Sequence, residues 1–407
     1  MHCRHCQTPL QHVFLDLGFA PPSNAYLRQE DLLAPETHFP LKLYVCHSCW
    51  LVQTEDYADP EQLFQADYAY FSSTSRSWLE HARKYYSMIT EYMALDEQSL
   101  VVEVGSNDGY LLQNFLSAGI PCLGVEPASG VAAEAERLGI PVLQEFFGSE
   151  LGMRLASENR QADLIVGNNV YAHVPDINDF TSGLRAALKP GGTVSLEFPH
   201  LLNLIRFCQF DTVYHEHYSY LCLHTVQRIF SAHGLKVFDV QELSTHGGSL
   251  RVYGCRLQDQ RAENPSIRRL LEKERQYGLQ DIHVYQGFQV CAERIKDDLL
   301  LFLLEQKRQG KTVAAYGAAA KGNTLLNYAG VKPDLLPFVC DGAFSKQGKY
   351  LPGSHIPIRS QQALQQVRPE FILILPWNLR SEIADQLQFI RHWGGKFVVA
   401  VPELEVF

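Results

Sequence analysis

Three groups of residues in this 407-residue chain have types and spacings that could do chemistry. Cys3-x-x-Cys6 and Cys46-x-x-Cys49 place four thiolates in two matched pairs, the donor set of a tetrahedral zinc ion. Four sulfurs leave no open position, so such an ion would be structural rather than catalytic. A redox-active pair is the rival, but there are two pairs and no thioredoxin-like βαβ pattern beside them. In Glu103-Val104-Gly105-Ser106-Asn107-Asp108-Gly109, two carboxylates flank a glycine turn. Carboxylates repel a pyrophosphate and suit a cationic ligand with a free amino group. Phe210-Asp211-Thr212-Val213-Tyr214-His215-Glu216-His217-Tyr218-Ser219-Tyr220 packs histidines, acids and tyrosines that are costly to bury unpaired. Its His-Glu-His spacing is not the i, i+4 pair of a helical zinc site, which argues against a metal there.

These groups need elements to hold them. The apolar run at 100–104 predicts a strand, Gly105 a sharp turn, Gly109 a close approach to ligand, and 110–116 a helix. Asn107 stands where a dinucleotide motif has its middle glycine, and asparagine is among the few residues that tolerate left-handed backbone. Glu126 closes the next strand, 121–125, where an acid accepts ribose hydroxyls. A sulfonium with an α-amino group, S-adenosylmethionine, meets these demands. Further strands are predicted at 141–143, 162–169, 193–198, 235–240 and 249–255, with Lys189-Pro190-Gly191-Gly192 a turn. Strands alternating with helices imply a mainly parallel sheet. Trp78, Ala82, Tyr85, Tyr86 and Ile89 form a helical stripe over 76–92, and 261–310 reads as helices. Residues 311–324 repeat the strand-glycine-helix design, opening a second α/β domain with strands at 337–341 and 371–378.

Hydrophobic content of 46% and charged content of 20% are those of a globular protein. No apolar run reaches the roughly 18 residues of a membrane span, and the first residues lack the apolar core of a signal peptide. The expectation is a cytoplasmic protein without a membrane partner, its ten cysteines reduced. The net charge of −10 argues against a nucleic-acid surface while leaving room for a small anionic ligand.

The twin CxxC module, EVGSNDG, DTVYHEHYSY and YGAAAKGNTLLN occur in this order. Acid-glycine-x-x-x-glycine resembles motif I of class I methyltransferases. The four features together resemble the nucleotide-sugar C-methyltransferases, notably the C-3'-methyltransferases of deoxysugar biosynthesis, across nearly the whole chain. The resemblance implies an α/β protein with three parts. These are a zinc module with connector at 1–74, a class I Rossmann-like methyltransferase core at 75–258, and a helical linker with a Rossmann-like domain at 259–407. It implies methylation at C-3' of a nucleoside-diphosphate-linked 4-keto-6-deoxy sugar, with zinc held by Cys3, Cys6, Cys46 and Cys49. The expected cofactor residues are Glu103, Gly105, Asn107, Gly109, Glu126 and Asn168. By resemblance His217 is the base, Glu216 tunes it, and Tyr214, His173 and Tyr68 surround the sugar. Lys321 and Asn323 start a helix after a glycine-rich turn and are expected to hold the nucleotide sugar. Two other functions remain. One is an RNA methyltransferase, although residues 1–60 carry three Lys or Arg against seven Asp or Glu. The other is a binding protein without turnover.

Overall fold

The computed structural model describes residues 1–55 and 71–407. In the central sheet the strands run in the order 3-2-1-4-5-7-6 of their own sequence: Val142–Leu143, Cys122–Val125, Val101–Val104, Ala162–Asn168, Leu188–Pro199, Ser249–Arg256 and Leu235–Leu243. All neighbours in the first five are parallel, and Ser249–Arg256 is antiparallel to both of its neighbours. The parallel strands are nearly all apolar because helices cover both faces. Their carboxyl ends, at Val104, Val125 and Asn168, open on one side, where α/β sheets place ligands. The expected turn at 189–192 lies inside the long strand Leu188–Pro199, where the register slips between Ala162 and Leu164 and Gly191 takes φ +81°.

The C-terminal sheet repeats the plan in the order 3-2-1-4-5-6, from Ile358–Arg359 through Val313–Tyr316 to Glu405–Val406, parallel except for its last strand. Helices Pro265–Tyr277, Ile282–Gln286 and Phe288–Arg308 join the two sheets. Helix Arg76–Met93 buries Trp78, Ala82, Tyr85 and Ile89 and is capped by Ser75, whose side chain accepts the Trp78 N–H. Among the described residues no helix is long and apolar enough to cross a membrane.

The N-terminal sheet draws on a distant segment. Its antiparallel strands His12–Ala20, Phe39–Val45 and Val52–Thr54 gain a fourth, Ser219–Tyr220, which pairs antiparallel with Val52–Thr54. The module is therefore continuous with the His-Glu-His segment. Cys208 and Cys291 form a disulfide, against the expectation that all ten cysteines are reduced. Folding of the linker helix Phe288–Arg308 brings their Cα atoms to 6.2 Å, within the span a disulfide bridges.

Candidate active site

At the end of Val101–Val104 the chain alternates into left-handed backbone, with φ of +66° at Gly105, +50° at Asn107 and +79° at Gly109. Both carboxylate oxygens of Glu126 brace this turn, one accepting the Asn107 N–H at 3.0 Å and the other the Ala128 N–H at 2.9 Å. Each oxygen keeps a further lone pair for a hydroxyl. From above, the Ser72 N–H donates to Asn107 Oδ1 and the Ser73 N–H to Asp108 Oδ2.

This turn and the strand end beside it hold buried acceptors without partners. Among the described residues, Asp108 Oδ1 and Asn168 Oδ1 have no hydrogen-bond partner, and the buried Glu103 carboxyl has the Tyr110 hydroxyl as its one side-chain hydrogen-bonding neighbour. Burial raises the Glu103 carboxyl well above its usual range. Native proteins rarely leave such atoms orphaned, and a cation with N–H donors would satisfy them. The amide of Asn168 donates to the Tyr110 hydroxyl at 3.2 Å, which turns its oxygen free. The expected set of Glu103, Gly105, Asn107, Gly109, Glu126 and Asn168 thus converges on one turn and the strand end beside it.

The His-Glu-His stretch is a loop, the one conformation in which neighbours such as Glu216 and His217 can avoid opposite faces. His217 is 7% exposed, and its Nδ1 lies 3.0 Å from the Thr212 carbonyl. A carbonyl only accepts, so Nδ1 carries the proton and Nε2 keeps its lone pair. Burial first, and then the nearby His173, push the His217 pKa well below its usual value, so the ring is neutral. Tyr214 lies against it at 4.0 Å between ring centroids, and His173 meets it edge-on at 4.4 Å. Burial also lowers His173, to about 4. Glu216 turns elsewhere. Its Oε1 accepts from Asn24 at 3.1 Å, and burial raises its carboxyl. Tyr68 lies outside the described residues.

Three supports hold this loop. The zinc module is the first: the Thr54 N–H donates to the Tyr218 carbonyl, and Val52 pairs with Tyr220. The Sγ atoms of Cys3, Cys6, Cys46 and Cys49 all lie within 4.8 Å of one another. Both knuckles close alike, with the N–H groups of Gln7 and Trp50 returning to the carbonyls of Cys3 and Cys46, each residue at positive φ. The turn after the fourth core strand is the second support, where the Ala172 carbonyl accepts the Tyr218 N–H. The C-terminal helix Ala320–Tyr328 is the third, through Thr324 Oγ1 to the Val213 carbonyl at 2.7 Å.

Lys321 and Asn323 begin that helix with different surroundings. Asn323 is buried and donates to the Ser23 carbonyl at 2.6 Å, bracing the N-terminal excursion. Lys321 Nζ lies 2.6 Å from Asn378 Oδ1 and over the ring of Trp377. Trp377 Nε1 donates to Asp211 Oδ2 at 2.7 Å. Burial lifts Asp211 to about 6 despite the charge of Lys321.

Trp377 and His246 were not among the expected site residues, and Asp211 was included only as part of the 210–220 stretch. The signal for His246 was Thr245-His246-Gly247-Gly248, a polar ring before two glycines between strands.

Residues 3–64 match the family described as "Putative zinc binding domain", 78–240 the family "Methyltransferase domain", and 244–402 the family "C-methyltransferase C-terminal domain". The chain is 35% identical to C-methyltransferase NovU of Streptomyces niveus over 404 residues, covering 99% of this chain and 96% of that protein. An uncharacterized methyltransferase of Mycobacterium leprae is 30% identical over 99 residues, 24% of this chain and 36% of that one. Among solved structures, magnesium protoporphyrin IX methyltransferase from Synechocystis PCC 6803 with bound SAM is 14% identical, with a TM-score of 0.38. That match covers 50% of this chain and 100% of the other.

Proposed function

The chain belongs to the zinc-module, S-adenosylmethionine-dependent C-methyltransferases, and on that premise we propose that it methylates C-3' of a nucleoside-diphosphate-linked 4-keto-6-deoxy sugar, with inversion at that carbon. When bound, S-adenosylmethionine supplies an electrophilic methyl group on a sulfonium. A sugar carbon is not nucleophilic, but one beside a ketone becomes so once its proton is removed. The observation that carries this reading is the neutral His217, whose Nδ1 proton is committed to Thr212 and whose Nε2 has no hydrogen bond among the described residues.

Nε2 takes the C-3' proton, and the C–H electron pair moves onto the ketone oxygen as an enolate. Tyr214 and His173, which lie against His217, line the sugar, Tyr68 is assigned there by resemblance alone, and Glu216 ties the loop to Asn24. Inversion at that carbon would follow if the methyl group were supplied from the face of the planar enolate opposite His217. Glu103, Asp108 and Asn168 receive the cofactor's amino group, and Glu126 its ribose. Lys321, at the helix start, meets the diphosphate. Asn323 spends its amide nitrogen on the Ser23 carbonyl, while its buried Oδ1 has no partner among the described residues and is the atom left to help hold the sugar nucleotide.

Incubation with S-adenosylmethionine and a panel of 4-keto-6-deoxy nucleotide sugars, followed by mass spectrometry and NMR, tests the proposal. The expected product carries one new methyl on C-3'. Methylation on oxygen, or no product from any sugar of the panel, rejects it.

The pH profile offers a second check. Burial disfavours the charged imidazolium, so the His217 base stays neutral as pH falls through the usual histidine value of about 6.5. The acid limb of log kcat/KM should therefore lie below 6.5, losing activity only on protonation at the lowered pKa. A limb at or above 6.5 points to a different, unshifted base.

A further inference from the structure

His246 is placed with unusual determination for a residue outside every motif used above. It adopts φ +53° within the turn Thr245–Gly247 that connects the two antiparallel core strands. Left-handed backbone at a non-glycine residue is uncommon and persists where its surroundings enforce it. Those surroundings are visible on each side. The Thr245 hydroxyl donates to Glu197 Oε1 at 2.8 Å. Glu197 is itself buried and paired with Arg251 and with His81 Nε2, at 2.8 Å from the latter. A Cβ on Gly247 would come within 2.5 Å of Trp377, and one on Gly248 within 2.3 Å of the Asn203 amide. The turn is wedged between the methyltransferase core and the C-terminal domain.

The ring stands between the two halves of the site. Toward the cofactor it packs on Trp78, 5.1 Å between centroids, and its Nε2 lies 3.1 Å from the amide nitrogen of Asn169, the neighbour of Asn168. Toward the base, Gly247 touches Trp377, Trp377 holds Asp211, and the next residue, Thr212, holds His217. The Asn169 amide nitrogen only donates, so Nε2 of His246 is an acceptor and the ring proton resides on Nδ1. Among the described residues Nδ1 has no hydrogen-bond partner, and the ring is half-buried. Burial, then the charge of Lys321, lower its pKa to about 4, which keeps the ring neutral. Two neutral histidines thus carry the proton on the same ring nitrogen, Nδ1, but spend opposite edges: His217 spends its N–H on Thr212 and His246 its lone pair on Asn169. His217 presents a lone pair and His246 an N–H.

We propose that Nδ1–H of His246 donates a hydrogen bond to the substrate ketone oxygen as it becomes an enolate, making it the electrophilic partner of His217; this rests on the ketone reading of the site. The balance is simple. The C–H proton goes to Nε2 of His217, the electron pair goes to the carbonyl oxygen, and His246 keeps its own proton while stabilising that oxygen. A neutral imidazole is an effective donor to a developing enolate because it enters and leaves the step uncharged.

The test uses proton exchange at C-3' in deuterated water, without cofactor, on a thymidine-diphosphate 4-keto-6-deoxyglucose probe. H246G removes the donor and suits the left-handed backbone. H246N tolerates the same φ and places an amide N–H near the position of Nδ1. Loss of one donor to an oxyanion typically costs about 10²–10³-fold, so H246G should exchange that much more slowly. H246N should recover about tenfold or more, with S-adenosylmethionine affinity by calorimetry unchanged in both. Should H246G lose cofactor affinity, H246D takes its place, having the shape of H246N without a donor when ionised. Exchange at the wild-type rate in the donor-less variant, or H246N no faster than that variant, overturns the role of His246 alone. A wild-type enzyme that binds the probe and exchanges nothing overturns the ketone reading and this inference together.

Discussion

His217→Asn should lose about 10²–10⁴-fold in turnover, the usual contribution of a general base, while S-adenosylmethionine binds as before. The substitution is chosen for its geometry. Asparagine's amide nitrogen takes the place of Nδ1 and continues to donate to the Thr212 carbonyl, so the loop keeps its closure. Only the Nε2 lone pair disappears. Cofactor affinity should survive because Glu103, Asn107 and Glu126 belong to other elements, braced by Ser72, Ser73 and Ala128. Exchange of the C-3' proton in deuterated water, with no cofactor added, isolates base action from methyl transfer. If the variant exchanges at the wild-type rate, the base lies elsewhere, with Tyr214 and Tyr68 the next to be replaced.

Cys46→Ser should release zinc and lower turnover at least tenfold while sparing cofactor binding. Cys46 directly follows strand Phe39–Val45, and Cys49 stands three residues before strand Val52–Thr54. That second strand carries the pairing to Ser219–Tyr220 and the bond from the Thr54 N–H to Tyr218, next to His217. Structural zinc in small modules binds with about 10–16 kcal/mol of apparent free energy, far more than two short strands supply for themselves. Without it the strand that anchors the base loop loses its frame. The measurements are zinc per chain, turnover, and calorimetry with S-adenosylmethionine. A zinc-free Cys46→Ser enzyme with full turnover would show that the module does not position the base.

What could be read from residue types was chemistry written locally. Two CxxC knuckles, an acid-rich glycine turn after an apolar run, and a helix stripe at Trp78, Ala82, Tyr85 and Ile89 each follow from neighbours a few positions apart. The same holds for the alternation of strands and helices that announces two parallel sheets, since periodicity and glycine conformation are local properties. The cofactor turn was legible for that reason, down to asparagine at the left-handed position 107.

Contacts between distant segments were not legible. Nothing near Val52 announces Tyr220 as its partner, because strand pairing is chosen by the register of whole surfaces brought together on folding. Nothing near Asn323 announces that its amide nitrogen donates to the Ser23 carbonyl of the N-terminal excursion. The tautomer of His217 depends on one carbonyl, Thr212, that only the loop's closure brings within 3.0 Å. Cys208 and Cys291 meet only through the packing of the linker helix. His246 lay in plain view before two glycines, yet its turn is held by residues from three separate elements: Asn169, Trp78 and Trp377. The sequence alone determined which groups can bind a sulfonium, hold zinc and accept a proton, because those abilities belong to the residues. Only the tertiary structure decided which of them share a cavity and which are spent on one another, because hydrogen-bond partners and desolvation are properties of the packed whole.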